Sequence, residues 1–183
     1  RLGEGPVLTS SLYEPFLVID GFVRQYNGLF HMWYIFEQKW KSYCEGMEPD
    51  RVYKIGHAVS TDGIEWKREG KAIIRDRIED ESQALPSVVY YNGLYHMFFC
   101  WRYSYDFRNN PKRGYRLGYA RSYDLKFWER ADEELNFECS LEGWDNEMLC
   151  YPNVFVMNQK VYMLYNGNQF GKTGFGVAEL EEI

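Results

Sequence analysis

A chain of 183 residues with a net charge of −6 is sized for one domain or slightly more. Its acidic balance lacks the basic patch of nucleic-acid binders, and no apolar run reaches the roughly 18 residues of a membrane-crossing helix, so neither nucleic acid nor a membrane is an expected partner. Hydrophobic residues at 45% and charged ones at 26% are ordinary globular values and argue against disorder. Aromatics are in excess: six Trp, 16 Tyr and 12 Phe make up 19% of the chain. Such residues favour strands and bury large areas behind polar tips, so most of these rings are expected in a core. Cys44, Cys100, Cys139 and Cys150 form neither a CxxC pair nor a metal spacing. They read as free thiols in a reducing cytoplasm, and the sequence predicts no metal site and no cofactor.

The first predicted element is a hairpin from Val23 to Tyr34, turned at Asn27-Gly28. Asn-Gly supplies the positive φ angles that a two-residue turn needs. A long loop, 37–50, leads to a third strand and the polar turn Ser60-Thr61-Asp62-Gly63-Ile64-Glu65-Trp66. The order then recurs. A second hairpin turns at Asn92-Gly93, 65 residues after the first, and a third at Asn158-Gln159, 66 further on. Loop 102–113 follows the second hairpin, and Tyr115 to Trp128 matches Tyr53 to Trp66 at an offset of 62. Gly174-Phe175-Gly176-Val177-Ala178-Glu179 is a truncated third copy. The shared Ser-x-Asp-x-x-x-Trp spacing reads as a structural turn.

Phe30–Phe36 and Tyr95–Trp101 are apolar on nearly both faces, which a lone sheet would expose and stacked sheets bury. Four-stranded units repeated radially are propeller blades. The predicted fold is therefore all-β: a partial β-propeller of four-stranded antiparallel blades, about three of them, spanning 1–183 with units near 1–75, 76–140 and 141–183. Propellers close with about four to eight blades. Either further blades precede Arg1, or two chains pair into a ring, so a homodimer is the expectation if the chain is complete as given. Gly5-Pro6-Val7-Leu8 is a candidate outer strand for another blade.

In a propeller the first strand of each blade lines the axis. Here those strands are expected to begin near Gly21, Pro86 and Pro152, which sets Asp20, Leu85 and Tyr151 at the inner rim. Glu81 and Glu147 each lie five residues before their proline, and Glu14 stands six before Asp20. Axial carboxylates are raw material for acid–base chemistry, so Asp20, Glu81 and Glu147 are the candidate catalytic residues. Structural readings stand beside these: Asp20 is a natural turn residue, and Glu81 belongs to the acidic run Glu79-Asp80-Glu81. Loop 102–113 mixes charge with aromatics, as functional loops on rigid scaffolds do, and Arg102, Arg108 and Arg113 suit an anion on a ligand. Glu14, Arg102, Asp106, Arg113, Tyr151 and Asn168 are the candidate substrate contacts. His31 and His96 occupy one repeat position and His57 pairs with Tyr119, so these histidines read as scaffold, Gly56, Gly118 and Gly176 as sites of close approach, and Trp66 and Trp128 as packing between blades.

Asp20-Gly21-Phe22-Val23 before a Tyr-Asn-Gly hairpin resembles the opening of the five-bladed arabinanase, levansucrase and invertase superfamily. His31-Met32-Trp33-Tyr34, the Ser60 to Trp66 turn and Tyr165-Asn166-Gly167-Asn168 are similar to segments of the same glycosidase blades. Through Glu14-Pro15-Phe16, Gln83-Ala84-Leu85-Pro86 and Glu147-Met148-Leu149-Cys150-Tyr151-Pro152, the chain also resembles the C-terminal part of glycosylase proteins found among bacterial surface-polysaccharide genes. The resemblance implies a carbohydrate partner and gives Asp20 the role of axial base or nucleophile. It places the general-acid Glu two residues before the Pro of a later blade, where this chain has Cys150; it also has Gly21 where the family has Pro. The expectation is a glycoside hydrolase-like propeller acting on or binding a bacterial polysaccharide, with Glu147 or Glu81 standing in as the acid. The alternative is a catalytically inactive carbohydrate-binding or structural half-propeller that closes by oligomerisation.

Overall fold

The computed structural model describes residues 3–181. Three antiparallel sheets follow one another along the chain, each a meander of neighbouring strands. The first holds β1 (Val18–Tyr26), β2 (Leu29–Lys41), β3 (Asp50–Ser60) and β4 (Lys67–Arg68). The second holds β5 (Glu81–Tyr91), β6 (Leu94–Tyr103), β7 (Arg116–Ser122) and β8 (Glu129–Arg130). The third has three strands, β9 (Cys150–Met157), β10 (Lys160–Asn166) and β11 (Phe175–Glu179). The innermost strands begin earlier than expected, at Val18, Glu81 and Cys150, because pairing resumes on the far side of a bulge in each. Gly5 to Leu8 form no strand. Leu8 instead packs against the cluster of Tyr34, Phe36 and Ala58 on the first sheet.

The sheets stack face to face. Trp33, Ile35 and Ile55 of the first share one core with Val88, Met97 and Phe99 of the second. The opposite face of the second sheet, Val89, Phe98, Leu117 and Tyr119, meets Val154, Val161, Met163 and Tyr165 of the third. A sheet buried on both faces has no polar side to show, which explains the unbroken apolar run of β6. Trp128 of the second blade sets its edge on Trp33 of the first at 6.3 Å between ring centroids, as expected of packing between blades.

Three glycines have one cause. Tyr34 pairs with Gly56, Phe99 with Gly118 and Tyr165 with Gly176. A Cβ on these glycines would lie 2.7, 2.5 and 3.0 Å from the neighbouring ring. Each aromatic of a second strand thus lies over the glycine of the third, within one sheet rather than between two. The polar turns also have one construction. Asp62 Oδ1 accepts from the backbone N–H of Ile64 and Glu65 at 2.8 and 2.9 Å, and Asp124 Oδ1 accepts from Lys126 and Phe127, both at 2.9 Å. Trp66 and Trp128 donate their indole N–H to Gly63 and Leu125 carbonyls at 3.1 and 3.2 Å.

His31 Nδ1 and His57 Nε2 lie 3.0 Å apart with their rings stacked beside Trp33. Burial, then the proximity of His31, holds His57 down to about 4, and burial lowers His31 as well. One ring donates to the other, so the accepting nitrogen carries no proton when the contact is made.

Two outcomes are expected. Gly118→Ala should cost about 1–3 kcal/mol in urea denaturation, and Phe99→Leu in the same chain should restore part of it; an unchanged midpoint would show that the ring swings aside. The unfolded chain takes up protons at its histidines near the ordinary value of 6.5, while folded His57 resists until about 4. Stability should therefore fall as pH drops through that window, by on the order of 2–3 kcal/mol. A His57→Phe variant should lose most of that pH dependence in thermal melts.

Candidate active site

Each innermost strand breaks register at the same repeat position. The shifts fall between Ile19 and Phe22 in β1, between Ala84 and Ser87 in β5, and in β9 opposite Leu164 and Asn166. Asp20, Leu85 and Tyr151 sit in these bulges with φ of 57°, 47° and 60°. A left-handed backbone costs a side-chain-bearing residue about 1–2 kcal/mol, and such strain concentrates at functional positions. The bulge re-aims the side chain. All three residues line a single cleft of about 690 Å³. Chemically they share nothing, so only the first copy brings a carboxylate.

The cleft is aromatic and charged. Tyr53, Phe107, Tyr115, Tyr151 and Phe170 line it, with Trp40 at 43% exposure on its rim. Phe170 rides on a left-handed turn at Asn168–Gly171 with φ of 61° and stacks on Tyr151 at 6.3 Å between centroids. Asp50, Arg51, Arg102 and Arg108 complete the polar lining. Asp20 is open to the cleft, yet the surrounding protein displaces enough water to raise its carboxyl above the ordinary range. Burial, then the nearby thiols, Tyr53 and Asp20, push the Tyr151 phenol up. Cys150 is fully buried, and burial drives its thiol to about 12. It is a neutral packing group where the resemblance places an acid.

Of the residues singled out in the sequence, Asp20, Leu85, Arg102, Arg108 and Tyr151 meet in this cleft; Glu14, Glu81, Asp106, Arg113, Glu147 and Asn168 are engaged elsewhere. Glu14 is buried and ion-paired to Arg68 at 2.6 Å, and it accepts the Tyr34 hydroxyl. Glu81 is buried and ion-paired to Arg130 at 2.6 Å, with Gln83 Nε2 donating to it at 2.9 Å. Asp145 accepts the Tyr165 hydroxyl at 3.2 Å. Arg68 and Arg130 are repeat equivalents, as are Tyr34, Phe99 and Tyr165. Glu14, Glu81 and Asp145 are therefore comparable: each is a buried acid, at or before the start of an innermost strand, that accepts from an arginine or tyrosine of its own blade. Arg68 also takes the Thr9 carbonyl and Arg130 the Arg75 carbonyl, so 3–17 is held like the connector between the first two blades.

Glu147 is exposed and outside the cleft; its N–H donates to Asn168 Oδ1 at 2.8 Å. Asn168 also accepts from Met148 and donates to Gly143 and Asn146, so its amide clasps that loop. Asp106 caps its own turn through its carbonyl, accepting from Asn109 and Asn110 at 3.3 and 3.0 Å. Arg113 lies over Tyr103 and Tyr105 at 5.1 and 5.3 Å. Asp50 and Phe170 were missed by sequence reasoning. Asp50 occupies the same position before Tyr53 that Lys112 occupies before Tyr115, a contrast between repeats that was available as a signal.

No protein-family model matches the chain. An uncharacterized protein of Mycobacterium tuberculosis strain H37Rv is 33% identical over 183 residues, covering 99% of this chain and 56% of that protein. A 1,2-beta-oligomannan phosphorylase of Thermoanaerobacter is 29% identical over 154 residues, 77% of this chain and 48% of that enzyme. Among solved structures, a family 117 glycoside hydrolase of Zobellia galactanivorans superposes with a TM-score of 0.69 at 19% identity, over 90% of this chain and 52% of that one. A thermostable family-43 glycoside hydrolase gives 0.67 at 14%, over 97% and 58%. The fold is that of the propeller glycoside hydrolases. The chain spans about half the length of the curated relatives it matches.

The clasp and the cleft separate in a stability test. Glu81→Ala should lower unfolding free energy by about 2–3 kcal/mol, because Arg130 stays buried with one acid fewer. Asp20→Asn should leave it within about 0.5 kcal/mol, since Asn tolerates the left-handed region and the site is open to water. Equal effects in urea titrations would contradict this division.

Proposed function

We propose that this chain builds one wall of the substrate cleft of a carbohydrate-active propeller, acting on or holding a glycan of the bacterial-polysaccharide kind, with Asp20 as its proton-handling group. The observation that carries the reading is the shared bulge: three equivalent positions turn into one aromatic cleft, and one of them presents a carboxylate of raised pKa. Flat rings with hydroxyl tips suit the apolar faces and hydroxyl edges of sugars. A carboxyl raised toward working pH suits general acid–base transfer.

In a hydrolytic form, Asp20 takes a proton from a water attacking the anomeric carbon while a second acid protonates the departing oxygen. Glu81 is closed in its clasp, and in this reading Asp50, which lines the cleft, takes that role. A second reading is phosphorolysis. It is favoured by the three arginines that line the cleft beside Asp20 and by the phosphorylase among the relatives. Phosphate then attacks the anomeric carbon, and Asp20 in its protonated form gives its proton to the leaving oxygen.

Turnover of β-1,2-mannooligosaccharides, aryl glycosides and bacterial polysaccharides, with and without inorganic phosphate, tests both forms. Free reducing sugar marks hydrolysis and sugar 1-phosphate marks phosphorolysis. Asp20→Asn should reduce kcat/KM by about 10²–10⁴-fold. Equal rates for the two proteins, or none with any substrate, would remove the enzymatic reading, and glycan binding measured by calorimetry would then decide whether the cleft only holds its ligand.

A further inference from the structure

Arg102 lies on the cleft wall, 4% exposed, and among the described residues no carboxylate is within ion-pair distance of it. Arg130, equally buried in the same sheet, has both Glu81 and Asp132. A buried cation left without an anion is expensive. Arg102 is instead held by rings and neutral oxygens. Its guanidinium sits 3.5 Å from the Phe107 centroid, and Nη1 donates to the Tyr103 and Ser104 carbonyls at 2.8 and 3.3 Å.

The remaining donors set a direction. Nε and Nη2 both donate to the Tyr53 hydroxyl oxygen, at 3.1 and 2.8 Å. With its lone pairs occupied, Tyr53 is the donor in its 2.6 Å contact with the Tyr115 hydroxyl. The Tyr115 proton then has no acceptor among the described residues, and Tyr115 and Arg102 line the same cleft as Asp20.

We propose that Tyr115, backed by the Arg102 charge, forms an oxyanion subsite that takes the carboxylate of an acidic sugar, one carboxylate oxygen accepting the uncommitted Tyr115 proton. The proposal rests on the carbohydrate reading of the cleft. Tyr53 acts as a positioning residue: it relays the arginine's polarisation and fixes which way the Tyr115 proton points. A ligand carboxylate there supplies the counter-charge that the chain withholds from Arg102, and charge-assisted bonds of this kind are about twice as strong as neutral ones.

Titration calorimetry on the intact protein, with glucuronate, galacturonate and mannuronate, their neutral counterparts glucose, galactose and mannose, and inorganic phosphate, tests it. One uronate should bind at least about 10-fold tighter than its neutral counterpart. Tyr115→Phe should abolish that difference and leave the neutral sugar unchanged. Tyr53→Phe, which keeps the Tyr115 hydroxyl but removes its orientation, should reduce the difference in the same direction. Equal affinity for charged and neutral sugars, or a preference that survives Tyr115→Phe, would overturn the subsite and leave the carbohydrate reading standing. Phosphate binding that Tyr115→Phe removes, without any uronate preference, would overturn the acidic-sugar assignment. Silence toward every probe would remove the subsite and the carbohydrate reading together.

Discussion

Burial of both faces of each sheet is the constraint from which the other features of this chain follow. A sheet in the middle of a stack has no solvent side, so its strands carry apolar residues at consecutive positions, as β6 does. The segment entering such a sheet must cross one of its faces, because strands run inward to outward within each blade. That crossing takes polar backbone into the interface. Glu14, Glu81 and Asp145 fix it there by accepting from hydroxyl or guanidinium groups of the blade beneath. An acid in such a place is nearly sealed from water, and its charge is tolerable only because a donor faces it.

The same packing makes strain affordable at the inner rim. Asp20, Leu85 and Tyr151 hold backbone angles that isolated strands would abandon. Each is anchored on its outer side by a long paired strand and on its inner side by neighbouring blades. Tyr26 of the first blade stands edge-on to Tyr95 of the second at 5.0 Å, and Ser87 accepts from the Val154 N–H at 2.9 Å. Proline at 86 and 152 completes the arrangement, since the residue after the bulge has no N–H to leave unpaired.

The blade plan was legible in the sequence because it rests on local chemistry. Asn27-Gly28 and Asn92-Gly93 announce hairpins whatever surrounds them, and the Ser-x-Asp-x-x-x-Trp turn satisfies its own hydrogen bonds. Asp20, Leu85 and Tyr151 could be placed at the inner rim by counting from the repeat. Their common backbone conformation could not, because an acid, an aliphatic and a phenol carry no common signature. The acids went astray for another reason. Connectors differ in length, so counting back from Pro86 and Pro152 matched Glu81 with Glu147, whereas the side-chain partners match Glu81 with Asp145. Phe170 reaches the cleft only through a left-handed turn whose Asn-Gln-Phe sequence gives no hint of one.

Divergence among equivalent residues on a fixed backbone is how a repeat acquires chemistry. At the bulge, one blade presents Asp20 and two present apolar or phenolic groups, so the cleft has one carboxylate among three symmetric places. At the start of the third-strand motif, Tyr53 and Tyr115 are equivalent, yet their hydroxyls meet head to head at 2.6 Å because the two blades converge there. Neither residue alone would define a direction. Arg102 breaks the symmetry by donating both Nε and Nη2 to Tyr53, and the pair becomes a one-way chain of hydrogen bonds that ends at Tyr115 in the cleft. The contrast with Arg130 is what gives that chain meaning: among the described residues, one buried arginine has two acids and the other has none. Among the described residues, Arg102 faces rings and neutral oxygens on the cleft wall, the setting in which we propose that a ligand supplies the anion.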